Sequence, residues 1–274
     1  MITVGRKGQL VTLDVFDKGA SNYNFLVAAG SGSGKSFFTN SLVNNYYGTG
    51  ALIRLTDIGS SYKKQCATVR GRFIDIGDQA AKLCINPFQV RGLDEEDAAG
   101  DDVAVAYVIL TMIYSNTGTV DITETQVTLV KDAVRFARER DGGLHGIDHV
   151  QEYLSLYPKH AGEINLQAAV NIAHEMGFNL RDYTTKGQYG SLFNGKTTLN
   201  IKNDEFVVFE LEELQNNPEL FRVMSLQVIN AVTQDLYLNE DRSVRRFLLF
   251  DEAWKYLGVD EHGARQGAAT SLIG

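Results

Sequence analysis

Apolar residues recur along this chain at two different periods, and the places where the period changes mark out its organisation. Residues 2–4 and 9–16 alternate in a strand-like way around Gly5-Arg6-Lys7-Gly8, which predicts a hairpin completing a sheet edge. A short apolar run at 25–29 predicts a strand, 37–47 a helix ending near Gly48, and 51–56 a second strand closing on Asp57-Ile58-Gly59. Residues 72–76 and 83–88 complete this first α/β portion, with Asn86-Pro87 fixing a turn.

From residue 91 the pattern turns helical. Acidic residues between Asp94 and Asp102 precede an almost uniformly apolar stretch at 103–114, where they favour the positive end of a helix. Thr123 and Gln126 form a capping box, and Val127, Val130, Val134 and Ala137 then repeat at helical spacing, with Arg135, Arg138 and Arg140 in the last turns. Asp148 with Gln151 opens another short helix. Asn165 caps a third, in which Leu166, Ala169, Val170 and Ala173 face a core and Gly177 marks the end. No strand pattern interrupts residues 91–190, which predicts an all-helical insertion between two parts of one core, 1–90 and 191–274. Sheet periodicity resumes at 197–201 and 205–211. Pro218 sits at the first position of a helix whose buried stripe is Phe221, Met224, Val228 and Val232, and residues 247–250 form a last apolar run ending in Asp251-Glu252.

Composition narrows the class. With 274 residues, 44% apolar and 22% charged, the chain can bury a large core. A net charge of −8 argues against a surface that coats nucleic acid, and so gives a DNA-binding role no support. Nowhere do about 18 apolar residues run together as a membrane span requires. Cys66 and Cys84 lack CxxC spacing and read as free buried thiols in a reducing, cytoplasmic setting. His145 and His149 lie four apart, but a zinc-protease helix needs glutamate after the first histidine; Gly146 stands there, so the stretch reads as a polar loop.

The chemistry concentrates at two places. After the run at 25–29 come Gly30, Ser31, Gly32, Ser33, Gly34, Lys35, Ser36 and Phe37, a glycine-rich turn opening into a helix. Backbone N–H groups in such a turn converge on phosphate oxygens, the lysine reaches the β and γ phosphates, and the serine hydroxyl ligates Mg²⁺. Ala29 occupies the place where the strict pattern has glycine. The second place is Asp251-Glu252, at the end of an apolar strand, where the aspartate holds a water of Mg²⁺ and the glutamate polarises an attacking water. Lys35 and Glu252 are therefore the candidate catalytic residues, and Ser36 and Asp251 the candidate metal contacts. The adjacent glutamate, without an NKxD base-reading motif, favours ATP over GTP. Asp57, at a strand end, is open to two readings: a group that positions water or metal, or a turn former.

Taken together, Asn22-Tyr23-Asn24-Phe25, Asp57-Ile58-Gly59 with Ser60-Ser61-Tyr62-Lys63, Ile85-Asn86-Pro87-Phe88, Phe209-Glu210-Leu211-Glu212-Glu213-Leu214 and Phe250-Asp251-Glu252-Ala253-Trp254-Lys255 resemble the C-terminal ATPase domain of the conjugative type IV secretion ATPases of the TraC type. The resemblance implies an α/β P-loop NTPase with a RecA-like, mostly parallel sheet and a helical subdomain. It also implies ATP and Mg²⁺ as ligands, hexamers, contacts with other secretion-system components, and work at the cytoplasmic face of the bacterial inner membrane. Family members carry a large N-terminal domain, and beyond Gly274 an arginine-containing segment and further strands are expected; Arg265 is the only arginine after Glu252. A chain as short as this is expected to be a weak ATPase or to need completion by another chain. Two other readings remain open at this point, an ATP-binding conformational clamp without strong hydrolysis and a DNA translocase of the same motor class.

Overall fold

A computed structural model describes residues 1–5, 7–30, 32–79, 82–89, 98–115, 122–157, 159, 167–237 and 243–256. The chain begins with a two-stranded hairpin, β1 (Ile2–Val4) antiparallel to β2 (Leu10–Thr12). This hairpin forms a sheet of its own and does not extend the edge of the larger one, contrary to the sequence expectation. Tyr46 anchors the segment after it, accepting the Val15 N–H at 2.7 Å and donating to Asp14 Oδ1 at 2.9 Å.

The main sheet contains β3 (Leu52–Asp57), β4 (Arg72–Asp75), β5 (Phe206–Glu210) and β6 (Arg246–Phe250), all parallel, in the order β4-β5-β3-β6. Strands this apolar on both faces must be covered on both. On one face α1 (Lys35–Tyr47) and α2 (Lys63–Thr68) lie over Ile53, Leu55, Phe206, Val208, Phe247 and Leu249. The opposite face, carrying Ile74, Val207 and Phe209, shares one continuous apolar cluster with the helices. There Arg54 is fully buried, and its guanidinium meets Asp235 at 2.8 Å and the Ile201 carbonyl at 3.1 Å.

Between β4 and β5 run α3 (Ile76–Gln79), α4 (Ala98–Tyr114), α5 (Glu124–Arg138), α6 (Gly146–Ser155), α7 (Gln167–Asn179) and α8 (Gly190–Phe193). No strand interrupts them among the described residues. The capping box at Thr123 forms as read, with the hydroxyl accepting from Gln126 N–H and the glutamine side chain returning to the Thr123 N–H at 2.7 Å. Gly177 does not end α7. The helix passes through it, and a Cβ there would come within 2.7 Å of Ser155 Oγ, so the glycine serves the close approach of α6 and α7. The predicted cap Asn165 and its neighbour Leu166 lie outside the described residues.

Two further expectations change. Residues 83–88 and 197–201 stay out of the sheet and bond to each other and to the helices, Thr198 N–H to the Cys84 carbonyl and Ile85 N–H to that of Leu192. The larger change concerns residues 25–29, which form no strand. Leu26 is 85% exposed, and Phe25 rests its ring against Phe247 at 5.6 Å. A strand exists only through its ladder, and among the described residues the backbone of this run pairs with no strand, although Phe25 touches β6. After β5, α9 (Pro218–Tyr237) starts with Asn217 Oδ1 accepting the Leu220 N–H, as the proline signal predicts, and α10 (Ala253–Tyr256) follows β6. Among the described residues no helix is long and apolar enough to cross a membrane.

Candidate nucleotide site

The glycine-rich turn delivers the start of α1 to the carboxyl edge of the sheet. Gly32 (φ 72°) and Gly34 (φ 91°) take left-handed backbone that side chains disfavour, and no atom lies within 4 Å of where a Cβ would stand at Gly30, Gly32 or Gly34. That space is an open cradle. Gly34 caps α1 without a side-chain hydrogen bond, and the first turn carries no acidic residue, so its backbone donors and the positive helix end are available to an anion. Ser33 braces the turn, its Oγ donating to the Gly30 carbonyl at 2.5 Å. Ser36 follows Lys35 on the first turn of α1. The Phe37 side chain is 83% exposed, which leaves the backbone N–H as the group this residue can offer. Ser31 lies outside the described residues.

Lys35 and Asp251 are separated by 216 positions, yet the Lys35 ammonium meets Asp251 Oδ1 at 2.8 Å and Glu252 Oε1 at 2.7 Å. The fold thus joins the two candidate halves of the site. Partial burial works against the ammonium, but the two carboxylates outweigh it and hold the Lys35 pKa above the ordinary lysine value. Glu252 sits in left-handed backbone (φ 51°), a conformation costing a non-glycine residue about 1–2 kcal/mol. Its N–H bonds Asp251 Oδ1 at 3.0 Å, and that turn swings its carboxylate toward Lys35.

Sequence reasoning missed part of the surroundings. Glu210, buried at the end of β5, accepts N–H groups of Gly59, Ser60 and Glu212, and so clamps the turn that follows β3. Tyr62, fully buried, joins that turn to α1 through a 2.6 Å hydrogen bond with Thr39, whose hydroxyl also bonds the Lys35 and Ser36 carbonyls. Asp57 accepts the Tyr62 N–H at 3.0 Å. Burial, chiefly, pushes its pKa up to about 7; the nearby carboxylates of Glu210 and Asp251 add to this, and the Tyr62 and Ile58 N–H groups oppose it. Glu210 and Tyr62 were visible only as members of recurring motifs. The histidines stand far from this edge in the chain, His145 Nδ1 lying 2.8 Å from Asp141 Oδ2 and His149 Nε2 at 3.3 Å from the same oxygen. Burial in apolar surroundings pushes both Cys66 and Cys84 up to about 11, so they remain thiols.

Comparison with known proteins identifies the family. The TraG P-loop domain family matches residues 3–264. Protein TraC of Escherichia coli (strain K12) is 26% identical over 261 residues, which is 93% of this chain but 28% of TraC. VirB4 of Thermoanaerobacter pseudethanolicus superimposes with a TM-score of 0.70 over 95% of this chain and 68% of that one, at 23% identity. It shares the α/β P-loop fold. The chain belongs to the TraG P-loop domain family, and its resemblance to the type IV secretion ATPases of the TraC type is borne out.

Proposed function

We propose that this chain is the ATP-hydrolysing motor domain of a bacterial conjugation or type IV secretion apparatus, powering pilus assembly or substrate transfer. The observation that carries the reading is Lys35 held between Asp251 and Glu252. An ammonium so placed is within reach of two destinations, the carboxylates and a phosphate seated on the α1 N-terminus.

The turn from Gly30 to Phe37 binds the triphosphate through backbone N–H groups and the helix end. The γ-phosphate competes for Lys35, and as the ammonium turns to it, Glu252 is released. Its carboxylate then accepts a proton from water while the water oxygen attacks the γ-phosphorus and ADP departs. Ser36 and Asp251 are the residues that would hold Mg²⁺, the first through its hydroxyl and the second through a water. When bound, this ion neutralises charge developing on the phosphate oxygens. The open cradle at the glycines and the carboxylates facing Lys35 fit such a pair of ligands.

The same proposal divides the chain into a core, 1–90 and 191–274, and a helical insertion, 91–190. It takes the working form to be a homo-hexamer at the cytoplasmic face of the inner membrane, docked on other secretion components. In support, TraC and VirB4 are matched over nearly the whole chain. Phosphate release from Mg²⁺-ATP, measured against protein concentration, is the test. Turnover that rises with assembly supports the motor. Tight ATP binding with no turnover at any concentration would replace it with a conformational clamp.

A further inference from the structure

Three carboxylates stand in a row at the carboxyl edge of the sheet, on the face that carries α1. Phe206 and Val208 of β5, Ile53 and Leu55 of β3, and Phe247 and Leu249 of β6 all pack with Leu42 and Val43 of α1. Two-residue alternation therefore brings Glu210, Asp57 and Asp251 to that face. Asp57 pairs in register with Glu210, and Thr56 with Phe250, so Asp251 follows at the level of Asp57. Neighbouring strands are about 4.8 Å apart, which makes Asp57 the middle member, next to Asp251.

The three differ in what satisfies them. Both Glu210 oxygens are taken by backbone N–H groups. Asp251 Oδ1 receives Lys35 and the Glu252 N–H. Asp57 uses Oδ2 for Tyr62, while Oδ1 has no hydrogen-bond partner among the described residues, in a side chain that is 0% exposed. A carboxylate oxygen withdrawn from water without a donor is costly and calls for an explanation, and beside a nucleotide site a bound ion or its water supplies one.

We infer that Asp57 is a positioning residue for the divalent cation of this site, its Oδ1 accepting a hydrogen bond from a water that the cation carries, beside the water held by Asp251. The inference rests on the reading of the site as one for a Mg²⁺-nucleotide. No three His, Cys, Asp or Glu side chains among the described residues are arranged to hold a metal directly. A cation bound here would be held together with the phosphates and would keep several waters, for which the chain must supply acceptors. Asp57 is well fixed for this. Tyr62 pins its other oxygen, and the Tyr62–Thr39 bond sets that anchor against α1, one turn beyond Ser36.

The test is Mn²⁺ binding in the presence of a non-hydrolysable ATP analogue, followed by the electron paramagnetic resonance signal of free Mn²⁺, with nucleotide affinity measured separately in EDTA. Asp57→Asn keeps an acceptor for Tyr62 but turns an NH₂ donor toward the cation's waters. It should weaken Mn²⁺ binding about tenfold or more, the usual cost of losing an outer-shell partner, and leave affinity in EDTA within about twofold. Asp57→Ser, a smaller replacement, should do the same. Glu205→Gln removes an exposed carboxylate that precedes β5, at the other end of that strand, and should leave Mn²⁺ affinity unaltered. Wild-type Mn²⁺ affinity in both Asp57 variants, or an equal loss in Glu205→Gln, overturns the inference. If the wild type itself shows no cation-dependent nucleotide binding, the underlying reading fails instead.

Discussion

The helical stretch and the carboxyl edge of the sheet both bury polar groups, but of different charge. Among the helices the buried ones are neutral: the Ser115 hydroxyl donates to the Met112 carbonyl at 3.0 Å, and Gln227 of α9 donates to the Ile85 carbonyl at 3.1 Å. Half-buried Asn194 donates to the Tyr183 and Gly190 carbonyls, while its Oδ1 has no partner among the described residues. At the sheet edge the buried groups are carboxylates: Asp251 and Glu252 meet Lys35, Glu210 clamps the turn after β3, Asp57 Oδ1 has no partner among the described residues, and Glu252 takes unfavourable backbone. Neutral hydrogen-bonded groups sit in a core at small cost, whereas carboxylates collected beside an open cradle are a poor arrangement for stability and a good one for receiving a cation and an anion together. One region is built to stay folded and the other to react.

If that contrast holds, substitutions in the two regions should separate stability from chemistry. The largest effect is expected from Phe193→Ala, which empties a fully buried site beside Tyr183 and should lower the unfolding free energy by about 3–5 kcal/mol in urea, while the folded fraction keeps its nucleotide affinity. Lys35→Ala should reduce ATP turnover by at least a factor of about 100–1,000, with a thermal midpoint that moves little; comparable unfolding would erase the contrast. Glu252→Gln should slow hydrolysis about a hundredfold at unchanged ATP affinity, and a variant that keeps full turnover would remove the glutamate from the mechanism. Tyr62→Phe should sit on the boundary, costing about 1 kcal/mol of stability through the lost bond to Thr39 and a few-fold in turnover.

The helices and the phosphate turn were legible because their signals are local. A capping box spans four residues, Pro218 marks its own helix, and Gly30 to Ser36 carry their spacing within a single turn. Gly177 misled because a glycine that ends a helix and one that lets two helices touch look alike in sequence; the neighbour Ser155 decides between them. The runs at 25–29 and 247–250 are both apolar throughout, but β6 has β3 alongside and becomes a strand, whereas the first forms no ladder among the described residues.

By itself the sequence determined which residues could bind phosphate, which carboxylates could serve a cation, and where helices begin, since these follow from short-range geometry. Only the tertiary structure decided that Lys35 meets Asp251 and Glu252 across 216 positions of chain. It also decided that Asp57, open to two readings, stands between Glu210 and Asp251 with one oxygen unpaired. Pairing of strands fixes which ends lie side by side, and no local pattern carries that register.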